Sequence, residues 1–371
     1  MRKQFLILGV ISLLSVGVFA QNDEKTIQTA IKSGTEQEKL AAVRATDNLS
    51  ADQQTAAQLL SALAEDATPE VRAAAVEKLN QYRKVPQARE TILKAASDSE
   101  PQVRKAALKL LGRLRGQDTL DVLYSALLDK DADVRSAAIT ALGVQEDRNA
   151  AGKIAFLMEG ADFDMKRVCL LALEKIRSPE SVGPLSEQAL GGDPVLAGIA
   201  SRALGRIGTL QAQDALESVI KSTQSASVRG SAAAAIGRID NERSVNILSS
   251  LRDSAEPELI LGAVYGLSEL TQREDARETL LKILKKGTDL PARIAAGNAL
   301  CQTGDAKVLN AYAKIIGNDR EDTDLKLAGL NCAAAKINDK AAKEILTEAV
   351  KSKDARVKEK AETLMPKTDK K

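Results

Sequence analysis

Apolar positions recur along this chain with the spacing of one helix face, and the same phrase returns about every 32 residues. Its clearest form is Val134-Arg135-Ser136-Ala137-Ala138-Ile139-Thr140-Ala141-Leu142-Gly143. With the valine as slot 0, slots 0, 3, 4, 7 and 8 make one apolar face of a helix, and arginine fills slot 1. Slot 0 falls on Val71, Val103, Val134, Met165, Leu196, Val228, Leu259, Ala292, Leu325 and Val357, at spacings of 31 to 33 residues. A weaker eleventh copy lies near Leu40-Ala41-Ala42-Val43-Arg44.

The start of each such helix is punctuated. Pro69, Pro101, Pro194 and Pro257 sit two residues before slot 0, and Pro291 sits one before it. Proline suits a first helical turn, where a missing N–H costs nothing. Thr68 and Asp193 are placed to cap two of these helices. A second amphipathic stretch precedes each phrase, as in Thr119 to Leu128, Ala212 to Ile220, Ala276 to Leu284 and Ala342 to Val350. The unit is therefore helix A, a short turn, then helix B. One hairpin cannot bury both of its faces, whereas stacked hairpins can. Small residues in slots 3, 4 and 7 predict close packing of B helices, and Gly112, Gly143, Gly205 and Gly237 fill slot 9.

The period and the Val-Arg-x-Ala-Ala-x-x-Ala-Leu-Gly phrase resemble the HEAT-repeat superfamily in its short bacterial form, often labelled after the HEAT-like repeats of phycobilisome lyases. Tetratricopeptide and ankyrin repeats are near in length, but their signatures are missing. The resemblance implies an all-α, right-handed α-α superhelix, a solenoid of about 11 two-helix repeats over residues 21–366. It implies an interaction scaffold, with only some members associated with enzymes. It also implies that the slot-1 arginine pairs with an acid in a nearby A–B turn, for which Asp66, Asp98, Asp129, Asp131 and Asp253 are candidates. Slot 1 fails at Ala197 and Ile260.

Composition narrows the chemistry. The 371 residues contain no histidine, which excludes a Ser-His-Asp triad, a histidine base and every histidine metal site. Aromatics are 2% and tryptophan is absent, so helices must bury many small side chains instead. No phosphate loop, Cys-x-x-Cys or nucleophile elbow appears, and no cofactor is expected. Asp129-Lys130-Asp131-Ala132-Asp133 imitates the start of a calcium loop, but Val134 and Thr140 stand where glycine and glutamate belong. Asp319-Arg320-Glu321-Asp322-Thr323-Asp324 reads as a turn with helix caps.

The formal charge is +2, and Arg2 and Lys3 account for both units. Without them the chain is neutral, unlike a nucleic-acid binder. Residues 21–70 hold four basic and nine acidic side chains, whereas residues 336–371 hold eleven basic and seven acidic. Met1-Arg2-Lys3, an apolar run from Phe5 to Phe19, and Val18-Phe19-Ala20 before a polar stretch form the pattern of a cleaved secretory signal over residues 1–20. The expected location is the periplasm or the exterior, with no stable membrane insertion after cleavage. Residues 367–371 form a basic tail. Three cysteines, Cys169, Cys301 and Cys332, read first as small buried residues. A Cys301–Cys332 bridge between neighbouring repeats is the alternative, and it would require those helices to approach closely.

Slots 2, 6 and 10 differ between copies and should lie on the open side of helix B, which lines the concave surface in the family the phrase resembles. Lys105, Lys109 and Arg113 make one repeat basic, and Arg167, Arg202, Arg206 and Arg238 continue the stripe. Leu261, Tyr265, Ile294 and Leu327 then turn it apolar. These eleven residues are the expected contacts for a protein or peptide partner. The expected function is a non-enzymatic scaffold. A subunit or regulator of an envelope enzyme, of the lyase-associated type, is the alternative.

Overall fold

The computed structural model describes residues 24–49, 53–222 and 225–365. The leader and the basic tail lie outside them. The described residues form 22 α-helices and no strand, and they divide into two compact units, the first ending at Ile176 and the second beginning at Arg177.

Unit 1 is five helical hairpins in chain order. These are α1 (Glu24–Ser33) with α2 (Glu36–Ala45), α3 (Gln53–Leu63) with α4 (Pro69–Lys78), α5 (Pro86–Ala95) with α6 (Pro101–Leu111), α7 (Gln117–Ala126) with α8 (Ala132–Gln145), and α9 (Ala151–Met158) with α10 (Phe163–Ile176). Unit 2 is six: α11 (Val182–Leu190) with α12 (Pro194–Ile207), α13 (Leu210–Lys221) with α14 (Ala226–Ile236), α15 (Glu242–Ser250) with α16 (Pro257–Glu269), α17 (Glu274–Lys286) with α18 (Leu290–Gln302), α19 (Ala306–Ile316) with α20 (Thr323–Ala335), and α21 (Lys340–Ala349) with α22 (Ala355–Leu364). Odd-numbered helices are A and even-numbered helices are B. Within each unit successive B helices pack on one another.

The start signals act as read. Helices α4, α6, α12 and α16 begin on their prolines. Asp193 caps α12 by accepting from Val195 N and Leu196 N at 2.9 and 3.0 Å. Thr68 does not cap with its side chain. Instead its own N–H donates to Asp66 Oδ1 at 2.9 Å, so the aspartate shapes the turn.

The core follows the slots. Slot 4 is buried in every copy, on Ala75, Ala107, Ala138, Cys169, Ala200, Ala232, Ala263, Ala296, Gly329 and Ala361. Slot 8 is buried from Leu79 to Ala333, and slot 0 is buried in all copies but Met165. Positions 0, 4 and 8 thus form the strip that faces helix A. Slot 9 of one B helix packs on slot 7 of the next. A Cβ on Gly112 would lie 3.0 Å from the Ala141 Cα, and one on Gly143 would lie 2.9 Å from the Ala172 Cα. Gly205 meets Ala235 in the same way, and Gly237 meets Gly266. Any side chain in these slots would force neighbouring backbones apart.

The pair at this register between α18 and α20 is Cys301 and Cys332, in slots 9 and 7, and it is disulfide-bonded with Cα atoms 5.8 Å apart. The reading of three small buried thiols is corrected for these two, because this contact point already brings backbones within disulfide reach. Cys169 is free and buried, and burial pushes its thiol up to about 12. Beside the bridge, the fully buried ring of Tyr312 fits against Gly297 and Gly329.

Candidate functional site

The recurring slot-1 cation builds the array. Arg104 Nε and Nη2 each donate to the Asp129 carboxylate at 2.8 Å, while Nη1 donates to the carbonyls of Asp98 and Ser99 at 2.9 Å. The guanidinium thereby ties its own A–B turn to the next. Arg72 does the same with Asp98, at 2.8 and 2.7 Å, and with the carbonyls of Asp66 and Ala67. Each rung aspartate also accepts the N–H two residues on, Glu100 N for Asp98 and Asp131 N for Asp129, both at 2.9 Å. The Arg104 guanidinium holds the Asp129 carboxyl below its ordinary range. At Asp98 burial opposes the charge, but Arg72 and the Glu100 N–H outweigh it and the net shift is downward.

Lys39 pairs with Asp66 at 2.6 Å, which places the degenerate first copy in frame, with Lys39 in slot 1 and buried Ala42 and Thr46 in slots 4 and 8. Unit 2 has Arg229 on Glu256, and Arg293 on Glu321 at 2.9 and 3.0 Å. Two expected rung acids are corrected. Asp131 caps α8 by accepting from Val134 N at 3.0 Å, so Asp129 alone takes Arg104. Asp253 pairs with its neighbour Arg252, and Glu256, nearer the start of α16, takes the rung. The calcium-like carboxylates are all engaged within the protein, since Asp133 holds Lys105 at 2.7 Å.

With slots 0, 1, 4, 7, 8 and 9 engaged in packing, the variable slots are left to the surface. Lys105, Lys109 and Arg113 line one groove of about 430 Å³ between α6 and α8, with Ser136, Thr140 and Val144 opposite. Lys105 spends its charge on Asp133, whereas Lys109 and Arg113 are exposed and make no ion pair among the described residues. Arg202, Arg238 and Tyr265 line a second groove of about 570 Å³ across α12, α14 and α16, with Val195 and Glu269 at its rim. Tyr265 is 52% exposed.

The remaining expected contacts are not gathered into these grooves. Arg206 is exposed on α12 outside the second groove. Arg167 is half-buried and bonds Asp164 on its own helix at 3.4 Å. Leu261, Ile294 and Leu327, all in slot 2, are half-buried. Val144, Val195 and Glu269 escaped notice in the sequence. Val144 and Glu269 fall in slot 10, whose open position could have found them.

No helix among the described residues is long and apolar enough to cross a membrane. A comparison with curated proteins found no match. Solved structures similar to this chain include the karyopherin Kap121p bound to the extreme C-terminus of the protein phosphatase Cdc14p, at 10% identity over 97% of this chain and 47% of that one, with a TM-score of 0.55. Kap121p bound to Pho4p is 11% identical over 94% of this chain and 46% of that one, with a TM-score of 0.56. Kap95p, whose binding induces the switch loops of RanGDP to adopt the GTP-bound conformation, is 11% identical over 95% and 59%, with a TM-score of 0.53. The chain spans about half the length of these proteins, and at such identity they show the fold alone. The family model for HEAT repeats matches residues 56–143, 150–237 and 187–268, more than half of the chain. The chain belongs to the HEAT-repeat family.

Proposed function

We propose that this chain is an exported, non-enzymatic scaffold that holds a protein or peptide partner along its B helices. A HEAT-repeat array is typical of interaction scaffolds. One observation carries the reading further: the constant slots are engaged in packing, and the variable slots 2, 6 and 10 surround two open grooves. The first offers Lys109 and Arg113 and suits an acidic stretch of partner. The second sets exposed Tyr265 beside Arg202 and Arg238 and suits an anchor residue, because tyrosine and arginine carry much of the energy of known interfaces. Export is supported by the leader pattern and by the Cys301–Cys332 bridge, since such bonds persist in oxidising compartments.

The test is site-specific photo-crosslinking in cells that export the full chain. Probes at Thr140 and Ser268 face the two grooves, and a control probe at Glu278 sits on an exposed position of an A helix. The reading expects a common adduct from the groove positions that Tyr265→Asp removes. Adducts from position 278 alone, or turnover of a small molecule by the purified chain, would overturn it.

A further inference from the structure

One rung of the unit 1 ladder lacks its acid. Arg135 is seated like Arg72 and Arg104, with Nη1 donating to the carbonyls of Asp129 and Lys130 at 2.8 and 3.2 Å. In the earlier hairpins the rung acid stands five residues before slot 0, as Asp66, Asp98 and Asp129 do. In the hairpin of α9 and α10 that position is Gly160, with φ at +66°, and nothing lies within 4 Å of where its Cβ would be. Of the two acids beside it, Asp162 accepts from Met165 N at 2.8 Å, and Glu159 is exposed and forms no ion pair with Arg135. Among the described residues Arg135 makes no ion pair, so its Nε and Nη2 are left without a carboxylate.

A second observation falls at the same turn. The only phenylalanines outside the leader are Phe156 and Phe163, which flank Gly160 in sequence and are 71% and 44% exposed. Leu128, next to the Asp129 whose carbonyl seats Arg135, is 84% exposed. A chain with so few aromatics has placed both of these on the surface rather than in its core. Exposed large apolar side chains on the hairpins that carry a fixed guanidinium without a carboxylate supply the two ingredients of an interface centre.

We propose that the A–B edge formed by these two hairpins docks a segment of another protein that carries a carboxylate beside large apolar residues. The carboxylate completes the rung on Arg135 through two parallel charge-assisted hydrogen bonds. The apolar neighbours cover Leu128, Phe156 and Phe163. Because Nη1 already anchors the guanidinium, little side-chain freedom is lost on binding. Charge complementarity selects this occupant: twice in the same unit an identically seated arginine takes a carboxylate from a neighbouring turn. The site lies on the turn edge, apart from the B-helix grooves, and does not depend on them.

The test titrates the full chain with two fluorescein-labelled peptides, Leu-Asp-Phe-Leu and Leu-Asn-Phe-Leu, while following anisotropy and the Nε–H resonance of Arg135. The acidic peptide is expected to bind about tenfold more tightly, the scale of a charged hydrogen-bond pair, and to shift that resonance. Arg135→Gln should abolish the difference. Gly160→Asp, which supplies an internal carboxylate and leaves the arginine in place, should abolish it too, so a folding defect in one variant does not decide the result. Phe156→Ser should weaken both peptides several-fold. Equal affinity of the two peptides, no binding of either at millimolar concentration, or a preference for the acidic peptide that survives Arg135→Gln would overturn the proposal. Self-association of the chain that Phe156→Ser abolishes would also overturn it, by assigning the edge to a second copy.

Discussion

In unit 1 three successive rungs, Lys39–Asp66, Arg72–Asp98 and Arg104–Asp129, tie one A–B turn to the next. In unit 2 slot 1 becomes Ala197 and Ile260 in two copies, both buried, and other contacts take over the register. Gly230 of α14 touches Gly262 of α16 through the backbone, Gly237 touches Gly266, and Cys301 is bonded to Cys332. Both units share the slot 9 to slot 7 contacts, and unit 2 keeps two separated rungs, Arg229–Glu256 and Arg293–Glu321. Among the described residues, unit 1 differs in its three consecutive charged rungs and unit 2 in its glycine-on-glycine contacts and its covalent bond. That alanine and isoleucine replace the arginine so readily has a physical reason. A buried ion pair returns little more than its desolvation cost, so a well-packed apolar residue is an adequate substitute. Removing one partner alone is a different matter, because the other charge is stranded.

The largest expected effect breaks unit 2. The Cys301–Cys332 bridge closes a separation of 31 residues, and its removal by paired serine substitution should cost about 3–4 kcal/mol. Hydrogen exchange should show the loss confined to α18–α20 and their neighbours, with the unit 1 turns unchanged. The next effect breaks unit 1. Asp129→Ala strands the largely buried Arg104 and should cost about 3 kcal/mol in urea unfolding. The double variant Arg104→Ile with Asp129→Ala should recover most of that, since isoleucine already serves at position 260.

Acid sharpens the contrast. The Asp66, Asp98 and Asp129 carboxyls are held below their ordinary range in the folded chain. Their contribution is therefore present above about pH 4, the unfolded value, and is lost as pH falls through the folded pKa. Below about pH 4 exchange should rise first in the turns at 66–68, 98–100 and 129–131, while a reductant at neutral pH should leave these turns protected. The smallest effect is expected at Asp253, which is exposed and outside the ladder. Asp253→Ala should leave the midpoint of the same urea unfolding curve unchanged within its error, because an exposed pair in water adds little.

The period, the hairpin unit and the core strip were legible because each rests on one recurrent constraint. A residue at slot 4 is buried in every copy, and one at slot 8 in every copy but the last, so the pattern alone reveals it. The choice of rung acid was less so. Asp129 and Asp131 share one turn, and either could cap α8 or meet Arg104; only the path of the turn decides between them. The same competition moved the unit 2 rung from Asp253 to Glu256. The first copy was obscured because its slot 0 is Glu38, which reaches back to cap its own helix at Thr35 instead of entering a core. The disulfide depended on the slot 9 to slot 7 contact, a relation between helices that no single copy displays. Among the binding candidates, Lys109, Arg113, Arg202, Arg238 and Tyr265 face grooves because slots 6 and 10 lie open between B helices. Slot 2 at Leu261, Ile294 and Leu327 is half covered.

We propose a division of labour in which constant slots build the array and variable slots recognise a partner. The most direct measurement compares Arg104→Ala with Tyr265→Asp for melting temperature and for the adduct formed by a photo-crosslinker at Ser268. Arg104→Ala is expected to lower the melting temperature by several degrees and keep the adduct below that temperature, whereas Tyr265→Asp should leave the melting temperature unchanged and lose the adduct. The reverse pattern, or loss of the adduct with Arg104→Ala while the chain remains folded, would contradict it.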